Sequence, residues 1–175
     1  IDSISRTRGV YEPSSSPTAN HVVLRVVLRL TSPGVKISAD GTGLKAEQVW
    51  INKAAAMNFS SPVAVGQHLY GLGPAKNLIW VEVATGKITW TKEGYFTTAA
   101  NVTHAAFLGL GTNILVCTDG GQLALISADP AEFRELGRAQ VCGLNWCNPA
   151  YADGHLYIRD GIKTTGNLFC VELLP

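Results

Sequence analysis

NLIWVEVATGKITW, residues 77–90, decides the fold of this 175-residue chain. Apolar residues fill its first half, so that an extended strand carries Leu78 and Trp80 on one face and Ile79 and Val81 on the other. A strand that is apolar on both faces is typical of a sheet covered from both sides. The Thr-Gly pair that follows is suited to a tight hairpin turn. The stretch therefore predicts two antiparallel strands inside a packed stack of sheets.

The same pattern recurs along the chain in three aligned segments, residues 61–90, 104–136 and 148–175. Two series of residues stand 45 positions apart: Leu78, Leu123 and Leu168, and Trp80, Leu125 and Cys170. In the first segment, apolar runs and turn residues predict strands at 62–65, 68–72, 77–83 and 87–91. A four-stranded antiparallel unit that repeats roughly every 40–45 residues is typical of a β-propeller blade, so we expect an all-β propeller.

The predicted blades divide the chain unevenly. Residues 1–21 are rich in Ser, Pro, Thr and Arg without an apolar period, which predicts an extended or poorly ordered N-terminal arm. The blades occupy residues 22–175, as a partial blade at 22–50, blades at 51–91 and 95–138, and an incomplete blade at 140–175. Between two strands of the second full blade, Asp129–Phe133 predicts a single helical turn, because it offers an N-cap followed by a proline.

Three to four blades leave two apolar end faces uncovered, which is unusual for a soluble monomer. We therefore expect the chain to be part of a larger ring, closed by further chain, by a second copy of the chain or by a partner protein. The N-terminal arm is a further candidate for the missing outer strand of the last blade. A compact monomer would instead indicate a small four-bladed ring closed by residues 22–30.

Residues 78–90 resemble the blade signature of the pyrroloquinoline-quinone (PQQ)-like propeller repeat, in which an apolar strand and a T-G-K turn lead to a docking tryptophan. Two further segments resemble parts of that signature, residues 153–160 and 167–173. The resemblance covers residues 44–175. The chain departs from the signature at Val83, where an aspartate is usual, and at Gly137, where a tryptophan is expected. The set of docking tryptophans is therefore incomplete.

Structural roles are predicted for three residues of the repeat. Gly86 lies in a tight turn that requires a positive φ, which glycine adopts without strain. Trp90 ends the outer strand, where its indole would cover the seam to the adjacent blade. Trp50 occupies the equivalent place 40 residues earlier.

Charge and hydropathy exclude two classes of partner. The net charge is +1, from 14 Lys and Arg against 13 Asp and Glu, and no basic block stands out, so no nucleic-acid partner is expected. The longest dense apolar run, residues 22–30, includes two arginines and is far shorter than the roughly 20 residues of a membrane-spanning helix. We expect no membrane span.

No metal site is predicted either. The four histidines follow no ligand spacing, and the four cysteines include no C-x-x-C pair. Cys142 and Cys147 are close enough in sequence for a disulfide across a short loop. The alternative is that they belong, with Cys117 and Cys170, to a set of buried small apolar side chains.

Candidate binding residues lie in loops that a propeller would gather at one face: residues 58–61, 101–104, 118–121, 145–148 and 160–165. Among them we select Trp146, Asn148, Arg159 and Asp160 for contact with a ligand or partner. The competing interpretation is that these four side chains only pack and order the loops. No catalytic residue is nominated, since the sequence presents neither a G-x-S-x-G motif nor a paired acid and base.

The resemblance implies a class of function. The PQQ-like family includes quinoprotein dehydrogenases and scaffolds of outer-membrane assembly, and it acts mainly outside the cytoplasm. A quinoprotein would need PQQ, calcium, a catalytic aspartate and, in the methanol-dehydrogenase branch, adjacent cysteines. This sequence has no adjacent cysteines and no cluster of Asp, Asn and Glu. We predict a non-catalytic binding or interaction scaffold, periplasmic or secreted, without a cofactor; the alternative is a partial or degenerate PQQ-dependent alcohol or sugar dehydrogenase.

Overall fold

The computed structural model describes residues 21–23, 32–39, 41, 43–57, 60–96, 103–161 and 165–173. Within these ranges the regular structure consists of fourteen β-strands, without a helix. The strands form four antiparallel sheets, and neighbours in each sheet are consecutive in the chain. The prediction of an all-β fold built of four-stranded antiparallel units is confirmed. Residues 1–20 of the predicted arm lie outside the described residues, as do residues 24–31 of the predicted partial blade and parts of the loops at 58–61, 101–104 and 160–165.

Sheets 1 and 2 come first in the chain. Sheet 1 consists of β1 (His21–Val23), β2 (Ser32–Ala39) and β3 (Leu44–Asn52). Sheet 2 consists of β4 (Val63–Val65), β5 (His68–Leu72), β6 (Leu78–Glu82) and β7 (Ile88–Lys92). Each strand of sheet 2 begins and ends within one residue of its predicted bounds. His21, which the sequence places in the arm, begins β1.

Sheets 3 and 4 follow in the same order. Sheet 3 consists of β8 (Ala105–Leu110), β9 (Asn113–Thr118), β10 (Gln122–Ser127) and β11 (Glu135–Gln140). Sheet 4 consists of β12 (Ala150–Ala152), β13 (His155–Arg159) and β14 (Leu168–Glu172). Up to residue 173, therefore, sheet 4 has three strands where sheets 2 and 3 have four.

The alternating apolar residues of each strand pack against two different sheets. One face of sheet 2 packs on sheet 3, through Tyr70, Leu72, Leu78 and Trp80 against Ala105, Ile114, Val116, Ala124 and Ile126. Its other face packs on the segment that follows sheet 1, through Leu69, Ile79 and Val81 against Ala55 and Met57. The second face of sheet 3 packs on sheet 4, through Ala106, Leu115, Cys117 and Leu123 against Leu156 and Ile158. Burial on both faces explains why the strands lack polar alternation.

Tryptophans of the outer strands lie across the seams between sheets. The prediction that Trp90 ends its strand is wrong, because β7 continues for two residues to Lys92. The Trp50 indole Nε1 of sheet 1 donates to the Val83 carbonyl of sheet 2 at 2.8 Å. The indole lies so close to Gly86 that a Cβ at that position would collide with it. One sheet later, Trp90 stacks on Phe133, which precedes β11, with ring centroids 5.4 Å apart. Each tryptophan thus contacts the connection before the outer strand of the next sheet.

A β-bulge recurs at the same place in sheets 1, 2 and 3. The register between the last two strands shifts after Gly34, after Trp80 and after Leu125, which lie opposite Trp50, Trp90 and Gly137 respectively. Bulges increase the local twist of a strand and redirect its side chains. The repeated bulge identifies Gly137 as the position equivalent to the two tryptophans. It is exposed, and a Cβ there would meet nothing within 4 Å.

The single helical turn predicted at Asp129–Phe133 is wrong. The segment forms a bend, because the Asp129 carboxylate accepts the Ala131 amide at 2.8 Å and orders the backbone locally. Phe133 then turns inward, where its ring contacts both Trp90 and Tyr95. The packing of Phe133 against these two rings outweighs the local preference of the segment for a helical turn.

Candidate functional site

The loop at residues 143–148, which connects sheets 3 and 4, is anchored by the buried side chain of Asn145. Its amide Nδ2 donates to Cys117 Sγ at 3.1 Å and to the Thr118 carbonyl at 3.3 Å. Its Oδ1 accepts the Cys147 amide at 2.9 Å, and its own backbone N–H donates to the Asp119 carbonyl at 2.9 Å. All these partners are internal, so Asn145 fixes the loop to the end of β9.

The residues on either side of this anchor point outward. Leu144 is 61% exposed and Trp146 is 42% exposed, although both are large apolar side chains. We call these two residues the 144–146 ridge. An apolar side chain held outward by a fixed loop loses little conformational entropy on binding, which is typical of protein-contact residues. Asn148, two residues beyond Trp146, is also exposed.

Asp160 connects the ridge loop to sheet 4. Its Oδ2 accepts the Gly143 amide at 3.2 Å, and its Oδ1 accepts the Asn167 amide at 2.7 Å. The backbone N–H of Asn167, followed by that of Gly143, lowers the pKa of Asp160. The Gly161 N–H adds a bond to the Leu144 carbonyl at 2.8 Å. The Asp160 carboxylate is thus engaged in ordering loops.

The four selected binding residues therefore lie in three settings. Trp146 and Asn148 are exposed on the ridge loop, and Asp160 is half-buried behind it. Arg159 is exposed at the end of β13, where its guanidinium Nη1 donates to the Gly161 carbonyl at 3.1 Å. Asn145, which the sequence analysis did not select, links the loop that carries Trp146 to the buried end of β9. An asparagine flanked by two large apolar residues in a loop was the available signal.

His104 and Asp119 form a buried polar pair beside the same loop. The His104 backbone N–H donates to Asp119 Oδ2 at 3.3 Å, and the Asp119 N–H donates back to the His104 carbonyl at 3.0 Å. In the described part of the chain, His104 Nδ1 and Asp119 Oδ1 find no hydrogen-bond partner. Burial lowers the pKa of His104, although the nearby Asp119 acts in the opposite direction. Burial therefore favours the neutral form of the imidazole.

The cysteines are free thiols in different environments. Cys117 and Cys142 are buried, and burial raises the pKa of Cys117 to about 11 and also raises that of Cys142. Cys147 is half-buried, whereas Cys170 is exposed on sheet 4. The alternative of a Cys142–Cys147 disulfide is wrong, since both thiols are free. The alternative of four buried cysteines is wrong for the half-buried Cys147 and for Cys170, which lies on a face that no sheet covers in the described structure. Over the described ranges, no three His, Cys, Asp or Glu side chains converge as a metal site would require.

The described residues include no helix that is long and apolar enough to cross a membrane. No protein-family model and no curated protein matches the chain. Among solved structures, the crystal structure of BamB from Moraxella catarrhalis is similar, with a TM-score of 0.50 and 15% sequence identity. The chain folds as a β-propeller segment. The alignment covers 73% of this chain and 43% of the BamB chain, so the segment spans less than half the length of that propeller.

Proposed function

We propose that this propeller segment is a non-catalytic scaffold that binds other proteins outside the cytoplasm, in the periplasm or after secretion. The observation that carries the proposal is the 144–146 ridge. Leu144 and Trp146 are exposed, and Asn145 between them is fixed by hydrogen bonds to sheet 3. Exposed tryptophan is enriched among residues that dominate protein interfaces.

The propeller fold supports this role without specifying the partner. Loops at one end of the sheets present a surface, whereas the sheets themselves provide a rigid frame. Asn148 and Arg159 lie at the same end and would add polar contacts around the apolar ridge. A polar rim around an apolar centre is the usual anatomy of a protein interface. We also propose that another protein surface, from a partner or from a second copy of the chain, covers sheet 4. The proposal assigns no cofactor.

Site-specific photocrosslinking tests the ridge. A photoreactive phenylalanine analogue placed at Trp146, in cells that make the protein, should give discrete crosslinked products with one or a few proteins. The same analogue at the exposed Lys87, in the turn between β6 and β7, is the control and should give none of these products. Adding Asn145→Ala should weaken the products from position 146, because the loop loses its anchor. Equal products from both positions would contradict the proposal.

The enzyme alternative has its own test. The purified protein is titrated with PQQ and calcium while the absorbance spectrum is recorded, and dye-linked oxidation of alcohols and sugars is assayed. Under the scaffold proposal, neither saturable quinone binding nor oxidation appears. Stoichiometric quinone binding with substrate oxidation would establish the dehydrogenase instead. Fractionation of the producing cells tests the proposed location, since a cytoplasmic pool alone would contradict it.

A further inference from the structure

The outward face of sheet 4 repeats a surface that is buried in the two sheets before it. Leu168 of β14 is 73% exposed. Its equivalents 90 and 45 residues earlier, Leu78 and Leu123, are 0% and 6% exposed because the next sheet covers them. A leucine in this position therefore belongs to a seam between sheets.

Its neighbours on that face follow the same rule. Tyr157 lies directly opposite Cys170, just as Tyr70 lies opposite Trp80 in sheet 2. Tyr70 is fully buried, and its hydroxyl donates to the Ala128 carbonyl of the next sheet at 2.7 Å. Tyr157 and Cys170 are exposed. The face has the residue pattern of a seam but lacks its covering sheet among the described residues.

The opposite end of the stack carries a matching open surface. Trp50 points from β3 toward sheet 2, so Ile51 beside it points away from the stack, and it is 53% exposed. The register places the half-buried Val35 and Ile37 and the exposed Ala46 on this same face. Val35 is equivalent to Val81 of sheet 2, which is buried against the preceding segment. Sheet 1 therefore presents the kind of surface that covers a seam elsewhere in the chain.

We infer that sheet 4 of one copy packs against sheet 1 of a second copy, head to tail. The inference rests on the propeller scaffold proposed above and not on the ridge. Both surfaces are apolar, and both correspond to surfaces that pack on each other within one chain. Two copies placed in this way make two identical contacts and close a ring of eight sheets. Since the aligned 73% of one chain covers 43% of the BamB chain, the aligned parts of two copies together correspond to most of one whole propeller.

A pair of charged variants tests the arrangement. Leu168→Glu alters only the sheet 4 surface, and Ile51→Glu alters only the sheet 1 surface. Both side chains are largely exposed in one copy, so each variant should fold, which circular dichroism checks. By light scattering at tens of micromolar, the wild type should have the mass of a dimer, and each variant alone should have half that mass.

Mixing the two variants distinguishes a head-to-tail contact from a symmetric one. The intact sheet 4 surface of Ile51→Glu can pair with the intact sheet 1 surface of Leu168→Glu, so the mixture should recover the dimer mass through a single contact. A monomeric wild type, a dimeric Leu168→Glu variant or a mixture that stays monomeric would each overturn the inference. Leu136→Glu, at an exposed leucine on β11, is the matched control and should remain dimeric. Leu144→Glu should also remain dimeric, so failure of the ridge proposal is seen separately in the crosslinking experiment.

Discussion

Two features of the structure require glycine at position 86. Its φ is +71°, in the left-handed region that favours glycine, and the Trp50 indole packs where a side chain would begin. The Asn52 amide Nδ2 also donates to the Gly86 carbonyl at 2.7 Å. The turn could be predicted from the Thr-Gly pair alone. The contact with Trp50 could not, because that residue lies 36 positions earlier and arrives only through packing of the sheets.

Replacing Gly86 by alanine should destabilise the protein by more than the backbone strain in the turn would do by itself. Gly66 is the matched control, because its φ is +59° but a Cβ there would meet nothing within 4 Å. We expect Gly66→Ala to lower the free energy of unfolding by about 1 kcal/mol, from backbone strain. Gly86→Ala should lower it by about 3 kcal/mol, because the indole must also move. Urea denaturation measures both, and equal losses would show that Trp50 does not pack on this turn.

His104 should make the protein sensitive to mild acid. Burial lowers its pKa in the folded state below the unfolded value of about 6.5. A histidine with a lowered pKa stabilises the fold above pH 6.5, and this stabilisation is lost as the pH falls through the folded pKa. The free energy of unfolding should therefore decrease from about pH 6.5 downward, and His104→Gln should reduce that decrease.

Urea denaturation at several pH values checks this expectation. His155→Gln, at the start of β13, is the control for the same substitution outside the buried pair. If His104→Gln and the wild type lose stability in parallel between pH 7 and pH 5, the buried imidazole is not the source. Carboxylates would then account for the acid sensitivity.

At the scale of elements, the spacing of apolar residues predicted the strands well. The repeat of 45 residues placed Leu78, Leu123 and Leu168 at equivalent positions, and all three begin or lie near the start of the third strand of a sheet. The bulges opposite Trp50 and Trp90 could not be predicted, since an extra residue in one strand leaves no periodic signal. Phe133 was misassigned to a helical turn for a related reason: its position is set by ring packing with Trp90.

Trp90 should contribute more to stability than Trp146. Its indole contacts Trp80 at a centroid distance of 4.2 Å and Phe133 at 5.4 Å, across the seam between sheets 2 and 3. Removing such a side chain by Trp90→Ala should cost about 3 kcal/mol. Trp146→Ala, at an exposed loop position, should cost less than about 1 kcal/mol. Small and equal losses in urea denaturation would show that the assignment of Trp90 to the seam is wrong.

For the candidate site, the sequence predicted that Trp146 and Asn148 lie in a loop, but not which contacts fix that loop. Trp146 and Asn148 are exposed in the predicted loop, and Asp160 proved to be a loop-ordering residue. Asn145 was missed because its partners, Cys117 and Thr118, lie in β9, 28 and 27 positions earlier in the chain. Loop anchors of this kind depend on contacts between distant segments. Only the packed structure brings them together.

At the scale of the whole molecule, the two end sheets are incomplete in different ways among the described residues. The bulge shared by sheets 1 to 3 marks the last two strands of a sheet, so β1, β2 and β3 occupy the second to fourth positions. Sheet 4 aligns with sheet 2 through His155 and His68, so its strands occupy the first three positions. Each end therefore offers both an apolar face and an open strand edge, which favours association.

Association through those ends should make unfolding depend on protein concentration. When folding and dimer formation are coupled, a tenfold dilution lowers the stability per dimer by about 1.4 kcal/mol. The thermal midpoint of the wild type should therefore fall by a few degrees on tenfold dilution, in scans that are reversible. Leu168→Glu, which removes the contact, should unfold at a lower temperature that does not change on dilution. A wild-type midpoint that is also independent of concentration would contradict the association. Each copy would then be stable with its end faces open, and the apolar area at Tyr157 and Leu168 would add nothing to the stability through dimer formation.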